Sequence, residues 1–468
     1  MIRAHPFKGE TVAVMGLARS GLASVGSLVA GGAHVLAWDD NEERRAEAAA
    51  LGATITDLES ADLAVVSALV LSPGIPHTHP APHPVAAHAR CEGVPIIGDI
   101  EILIRSQSEA RVVGITGTNG KSTTTALIGH ILTKSGLPVE VGGNIGRAAL
   151  EFEPMGAEGV YVLELSSYQL ELVPSLRCDC AVFLNISPDH LDRHGDLEGY
   201  IAAKRNIFAG MREGAIAVIG EDDAETRVVA NDVRVAGRAT VIPISGGSLP
   251  EPGVGIRDRH VNATIDGTRR VIADLAKARA LPGDHNAQNA AAATAVALSL
   301  GVSEGAIGEA LLDFPGLPHR QERVGEKDGV AYINDSKATN ADAAARALSC
   351  YETIYWIVGG VAKEGGIEPL AKYFPRIRRA FLIGGSTEEF AASLEGRVAY
   401  DVAGTLDRAV DKAALLALSE ERDGATVLLS PAAASFDQFK SYEARGDAFR
   451  DLVTTFLSNG RPDQRRAS

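Results

Sequence analysis

Cysteine is scarce: four in 468 residues, Cys91, Cys178, Cys180 and Cys350, too few and too scattered for a disulfide framework. Cys178-Asp-Cys180 has no second cysteine pair to complete a zinc site, so it is read as two small, half-buried residues leading into a strand. Long hydrophobic runs are missing too. The run Leu63 to Leu71 is broken by Ser67 and falls far below the roughly 18 to 20 residues of a membrane helix, so no span is expected. The opening MIRAHPFKGE has neither an apolar segment nor a small-residue cleavage site, which leaves secretion unsupported and a cytoplasmic location expected. Basic excess is absent: 45 Lys+Arg against 60 Asp+Glu give a net charge of −15, which disfavours a nucleic-acid or anionic-membrane surface.

What is present is ordinary folding material. Hydrophobic residues make up 46% and charged residues 22%, which excludes disordered, collagenous and coiled-coil classes. At about 150 residues per domain, this length suggests roughly three domains. Apolar β-branched runs alternate with Ala/Leu-rich stretches of helical period, the pattern of an α/β chain with parallel sheets. A first unit reads strand Thr11 to Met15, glycine turn, helix to about Ala30, strand His34 to Trp38. The pattern restarts at Arg111 to Ile115, with a helix from Lys121 to about Lys134, so a boundary is placed near Ser106 to Glu109. A third block follows Phe314-Pro-Gly-Leu-Pro318, with strands near 332–334, 354–358, 380–383 and 426–429. The stretch Gly246 to Gly267 predicts loops or an antiparallel excursion, and Asn459 to Ser468 a disordered tail. Segment His77 to His88 holds four of the twelve histidines among prolines, and is expected to be a solvated loop rather than a metal site.

The strongest chemical signal is Gly114-Ile-Thr-Gly117-Thr118-Asn119-Gly120-Lys121-Ser122-Thr123, between strand and helix. Glycines let the backbone wrap phosphates, the helix start presents free N–H groups, Lys121 neutralises β- and γ-phosphate charge, and Ser122 reaches Mg²⁺. The spacing departs from the strict motif, with five residues rather than four between Gly114 and Gly120; the competing reading is a capped glycine turn. Gly16-Leu-Ala18-Arg19-Ser20-Gly21, with Asp39 and Asp40 closing the next strand, resembles a weaker dinucleotide fingerprint. Ala18 hinders close pyrophosphate approach, so a nucleotide-diphosphate group is favoured over a nicotinamide or flavin, with a plain tight turn as the third reading.

Glu164-Leu-Ser-Ser-Tyr-Gln169 follows an apolar strand and puts a carboxylate where parallel sheets hold ligands, a plausible Mg²⁺ position. Asn185-Ile-Ser-Pro-Asp189-His190-Leu-Asp192-Arg193-His194 gathers a second set, and together they suggest two Mg²⁺ ions. Asn334-Asp335-Ser336-Lys337-Ala-Thr339-Asn340 and Ser430-Pro-Ala-Ala-Ala-Ser435-Phe436-Asp437 also end strands, where turn chemistry explains them as well as a ligand does.

With these segments assembled, the chain resembles the Mur ligase family from about Lys8 to Leu457. The likeness rests on those motifs with Ser72-Pro73-Gly74-Ile75, Gly98-Asp-Ile-Glu101, Gly142-Gly-Asn144-Ile-Gly146, His285-Asn286 with Asn289, and Gly316-Leu-Pro-His-Arg320. Within the family, Leu429 to Phe439 and Ser72-Pro-Gly74 point to the member that adds D-glutamate to UDP-N-acetylmuramoyl-L-alanine. No Asp-Asn-Pro-Arg segment of the diaminopimelate-adding relative is seen; Ala433 stands where Cys is frequent and Tyr442 where Phe is usual.

The resemblance implies three domains: a Rossmann-like UDP-binding domain (1–107), a P-loop ATPase-type central domain (108–313) and a Rossmann-like amino-acid-binding domain (314–468). It implies that Arg19, Ser20, Asp39, Ser72, Pro73, Gly74 and Asn144 hold the UDP substrate. ATP falls to Gly117 through Thr123 with Asn286, Asn289, Arg320, Asp335 and Lys363, and D-glutamate to Lys337, Thr339, Ser435 and Tyr442. Two Mg²⁺ ions fall to Ser122, Glu164, His190 and a carbamylated Lys204, and catalysis to Lys121, Lys204, His190 and Glu164. Read without the resemblance, Lys204 is a solvent-facing helix lysine. A monomer without nucleic-acid partners is expected. Three rivals fit less well: a folylpolyglutamate synthase has no need of the first hundred residues, a dehydrogenase leaves the second glycine loop unexplained, and a regulatory GTPase lacks its Asn-Lys-x-Asp segment here.

Overall fold

The computed structural model describes residues 1–459 except Asp266, Asp284 and Glu364, so the predicted tail beyond Asn459 lies outside the described residues. The chain forms two compact units. One comprises Met1–Lys277 with Asp284–Leu312, the other Ala278–Gly283 with Asp313–Ser468.

The first unit contains two sheets. Strands Thr54–Ile55, His34–Trp38, Thr11–Met15, Ala68–Leu71 and Ile96–Ile97 lie side by side in that order, all parallel. Val12, Val14, Val35, Ala37, Ala68 and Val70 alternate onto a buried face, the period of two that a pleated strand imposes. The second sheet has nine strands, with Arg111–Thr116 between Cys180–Phe183 and Val160–Glu164. The expected excursion is antiparallel: Gly253–Arg257, His260–Ile265 and Thr268–Asp274 extend one edge of this sheet. Strand Val160–Glu164 is buried along its whole length, as a strand covered on both faces must be.

The second unit has one six-stranded sheet in the order Glu322–Lys327, Val330–Asn334, Ala425–Leu429, Thr353–Gly359, Ile377–Ile383, Tyr400–Gly404. It is parallel except for the first pair. Apolar clusters around Trp356 on one face and Tyr355 and Phe381 on the other fill the space beneath its helices. In both units, the strands' carboxyl ends carry the polar loops singled out in the sequence, the position where parallel sheets hold ligands.

Two expectations are corrected. His77 to His88 is a solvated loop only over its middle, where His79 to Pro82 are exposed: His77 is buried, and Pro84 starts a helix, Pro84–Cys91. Proline is suited to a first helical turn because the N–H it lacks has no partner there. Cys178 and Cys180 are fully rather than half buried, and burial pushes both thiols up, which makes them inert core residues.

Candidate functional site

In the first unit the strand Arg111–Thr116 runs into the glycine loop, and the helix Lys121–Lys134 starts directly behind it. Gly117 and Gly120 adopt φ of +144° and +84°, so the loop needs glycine at both places. Lys121 Nζ donates to Gly117 O (2.8 Å) and Thr118 O (2.9 Å), which curls the side chain over the loop. Ser122 is buried in the first turn, with Thr123 half-buried beside it. The helix starting at His285 packs against this one and brings Asn286 and Asn289 to the loop. Asn289 Oδ1 accepts from Thr124 Oγ1 (3.1 Å), and its Nδ2 donates to Asn286 Oδ1 (3.0 Å).

Glu164 closes strand Val160–Glu164 and is 2% exposed. Asn144 Nδ2 donates to its Oε1 (2.8 Å), whereas Oε2 is buried without a hydrogen-bond partner. An orphaned carboxylate oxygen is the type of hard ligand Mg²⁺ takes, so this position fits the ion.

Lys204 corrects the reading made without the resemblance. It is 1% exposed, on the inner face of helix Leu197–Arg205, with Nζ donating to Gly117 O (2.8 Å) and Thr116 Oγ1 (3.3 Å) and lying 4.8 Å from the Tyr200 ring centre. Burial, assisted by the nearby Lys121 charge, lowers its ammonium to about 6, so the amine is largely neutral at pH 7. His190 sits at the start of helix Leu191–His194 with φ of +53°, half exposed, and its Nε2 lies 3.6 Å from Asp189 Oδ2. Among the described residues no three His, Cys, Asp or Glu side chains converge as a metal cluster. The expected ligand set is of another kind, since it mixes a hydroxyl, one carboxylate, one imidazole and a lysine.

The turn after Thr11–Met15 is built for close packing. A Cβ on Gly16 would lie 2.7 Å from Ile75 Cδ1, and one on Gly21 would lie 1.9 Å from Gly16 O. Arg19 and Ser20 open the following helix, Ser72 Oγ donates to Gly16 O (2.9 Å), and Pro73 and Gly74 form the adjoining turn. Asp39 accepts from Leu17 N (2.6 Å) and Asn41 N (2.9 Å). Burial raises its carboxyl, but these two N–H groups and Arg44 outweigh burial and hold it below the usual range.

The second unit carries the rest. Asp335 follows strand Val330–Asn334; its Oδ2 accepts from Ser430 Oγ (2.8 Å) and its Oδ1 from Gln321 N (3.2 Å), and burial pushes its carboxyl up to about 7. Lys337 Nζ lies 5.2 Å from the Tyr442 ring centre, and Ser435 is buried in the loop after strand Ala425–Leu429. Thr339 immediately precedes Asn340, which caps helix Ala341–Leu348; Arg320 lies in the turn before strand Glu322–Lys327, and Lys363 is exposed beyond Thr353–Gly359. The residues expected to bind ATP therefore divide between the two units.

Sequence reasoning placed Asn185 in the second ligand segment and gave it no role of its own. Its side chain clamps Asn119, accepting from Asn119 N (2.9 Å) and donating to Asn119 O (3.2 Å), and donates again to Gln288 Oε1 (2.7 Å). Its place at a strand's carboxyl end was the only available signal. Glu171 was also missed: it accepts from His77 (3.2 Å) and lies 3.5 Å from both Arg193 and His194.

The sequence matches the Mur ligase middle domain over residues 115–297 and the Mur ligase, glutamate ligase domain over 319–433. It is 51% identical over 459 residues to the UDP-N-acetylmuramoylalanine--D-glutamate ligase of Rhodospirillum rubrum, covering 97% of this chain and 96% of that one. The protein of the same name from Paramagnetospirillum magneticum is 50% identical over 460 residues, covering 98% of this chain and all of the relative. Among solved structures, the UDP-N-acetylmuramate-alanine ligase of Thermotoga maritima aligns with TM-score 0.58 at 19% identity, over 96% of this chain and 100% of that one, a likeness of fold. With three sheets flanked by helices, a glycine loop between strand and helix and half its residues shared with these relatives along nearly its whole length, the chain belongs to the Mur ligase family.

Proposed function

We propose that this chain is an ATP-dependent ligase that adds D-glutamate to UDP-N-acetylmuramoyl-L-alanine, a step of peptidoglycan precursor synthesis. The observation that carries this is identity of about half over essentially the full length to proteins named for that reaction. The phosphate loop with Glu164 at the neighbouring strand end is the chemistry it requires.

An amine does not displace oxide from a carboxylate at neutral pH, so the carboxylate must first be activated. An oxygen of the L-alanine carboxylate attacks the γ-phosphorus of ATP, the bond to the β-phosphate oxygen breaks, and ADP leaves. The D-glutamate amine then attacks the acyl carbon, loses a proton, and inorganic phosphate departs as the amide forms. Anions must meet in the first step. Lys121 and the helix start behind it supply positive potential at the transferring phosphate. Mg²⁺, when bound, neutralises phosphate oxygens. Ser122 and Glu164 are the residues that would hold it, with Asn144 keeping Glu164 oriented so that Oε2 stays free.

A second ion is assigned to His190 and to Lys204 after carbamylation. Carbamylation joins the neutral amine to CO₂, forms an N–C bond and releases a proton, leaving an anionic oxygen ligand. Burial and low basicity of Lys204 support this. Asn286 and Asn289, with Arg320, Asp335 and Lys363, are assigned to ATP, and Arg19, Ser20, Asp39, Ser72 to Gly74 and Asn144 to the UDP substrate. Lys337, Thr339, Ser435 and Tyr442 are assigned to D-glutamate, with Lys337 pairing a carboxylate. The domain limits are taken as 1–107, 108–313 and 314–468.

Phosphate release with ATP and UDP-N-acetylmuramoyl-L-alanine tests the reading. Release that depends on D-glutamate, with one amide formed per phosphate, is expected; release that proceeds equally well without D-glutamate overturns it.

A further inference from the structure

Arg445 lies in the helix Tyr442–Asn459 of the second unit and is 1% exposed. All three of its guanidinium nitrogens donate, but only to neutral groups. Nε donates to Ser336 Oγ (3.0 Å), NH2 to Ser336 O (2.9 Å) and Ala433 O (3.0 Å), and NH1 to Gly359 O at 3.5 Å. No carboxylate stands within ion-pair distance among the described residues. Asp437 lends it some charge support, yet that carboxylate accepts from Gly385 N (2.8 Å). Burial lowers the guanidinium to about 10, which leaves it protonated at neutral pH.

A buried cation without a counter-ion is costly, and an apolar side chain of similar volume would pack there at less cost. The three carbonyls it gathers lie at or just beyond the carboxyl ends of three different strands, Val330–Asn334, Thr353–Gly359 and Ala425–Leu429. Ser336 Oγ passes the connection on by donating to Tyr442 O (2.8 Å), and the Tyr442 ring faces Lys337. One planar fork thus fastens the two loops that carry Lys337 and Ser435, assigned above to the amino-acid substrate, to the end of a third strand, and leaves a positive charge behind them.

We propose that Arg445 is a positioning and specificity residue for the amino-acid substrate: its fork sets the loops bearing Lys337, Ser435 and Tyr442, and its unneutralised charge selects a dicarboxylic over a neutral amino acid. This rests on the function proposed above. It goes beyond that reading by assigning selectivity to a residue that does not touch the substrate.

The test compares Arg445→Lys, which keeps the charge and loses the fork, with Arg445→Met, which loses both. Steady-state constants for D-glutamate, ATP and UDP-N-acetylmuramoyl-L-alanine are measured on the full chain, with D-glutamine as a neutral competitor. Arg445→Lys is expected to raise the D-glutamate KM about tenfold while the other two KM values stay within about twofold. Arg445→Met is expected to raise it further and to lower the preference for D-glutamate over D-glutamine. An unchanged D-glutamate KM and selectivity in a folded variant, or equal movement of all three KM values, overturns the proposal. If Arg445→Met does not fold, the lysine variant decides alone. Parent enzyme whose phosphate release ignores D-glutamate would sink the function proposed above and would leave Arg445 no substrate to position.

Discussion

Gly120 joins the phosphate loop to its helix, and two effects of replacing it with alanine can be separated. At φ of +84° an L side chain costs about 1–2 kcal/mol. The added Cβ would also lie 2.2 Å from Asn289 Oδ1. That oxygen cannot retreat freely, because it accepts from Thr124 Oγ1 while the amide nitrogen of Asn289 bonds Asn286. Breaking both bonds costs about 2 kcal/mol more, for a total of about 3–4 kcal/mol. Gly136, just beyond the same helix, has nearly the same φ of +82° but nothing within 4 Å of its Cβ direction. Gly136→Ala should therefore cost only the backbone part, about 1–2 kcal/mol. Differential scanning calorimetry should show Tm falling by roughly 6–16 °C for Gly120→Ala and by roughly 2–8 °C for Gly136→Ala. The ATP KM should rise about tenfold or more in the first variant alone, since displaced Asn289 and loop amides no longer meet the nucleotide. Equal Tm shifts for the two variants, or an unchanged ATP KM in Gly120→Ala, would refute the contact argument.

Lys121→Ala should lower turnover by about a thousandfold or more while calorimetric binding of the UDP substrate holds; equal loss of both would show the loop to be only structural. Lys204→Ala should be inactive and regain activity with short-chain carboxylates, whereas a fully active variant removes Lys204 from the mechanism. Since Lys204 is neutral above about pH 6, bicarbonate should activate CO₂-depleted parent enzyme at pH 7.5 and fail below pH 6; activation equal at both pH values contradicts this. Burial pushes the Glu171 carboxyl up, but the His194 and His77 imidazoles and the Arg193 charge beside it outweigh burial and hold the group at about 2. Its stabilisation is thus present above about pH 4.5 and lost as pH falls through about 2. Glu171→Gln should cost roughly 2 kcal/mol at pH 7 after allowance for solvent screening, by urea denaturation, with the gap to the parent narrowing toward pH 3. A gap that stays constant over that range counts against the network.

The residues determined the α/β class, the strands Thr11–Met15 and His34–Trp38, the helix Lys121–Lys134 and the glycine loop before it, because hydrophobic period, glycine spacing and helix-start chemistry are local. They also placed Glu164, since a carboxylate directly after an apolar strand stands out without any neighbour. Burial was not legible where it depends on partners distant in sequence. Lys204 carries an ordinary helix pattern, yet the loop carbonyl of Gly117 and the Tyr200 ring enclose it. His77 looks like loop histidine until Glu171, 94 residues on, and Arg90 meet it. Asn185 and Arg445 work through backbone atoms that any residue type supplies, so no spacing in the chain announces them. Chain chemistry alone thus set the elements and the glycine loop between strand Arg111–Thr116 and helix Lys121–Lys134. Tertiary packing decided which polar groups lose water, and with it which lysine is neutral, which carboxylate oxygen is left free and which arginine stands without a counter-ion, since desolvation depends on everything that surrounds a group in space.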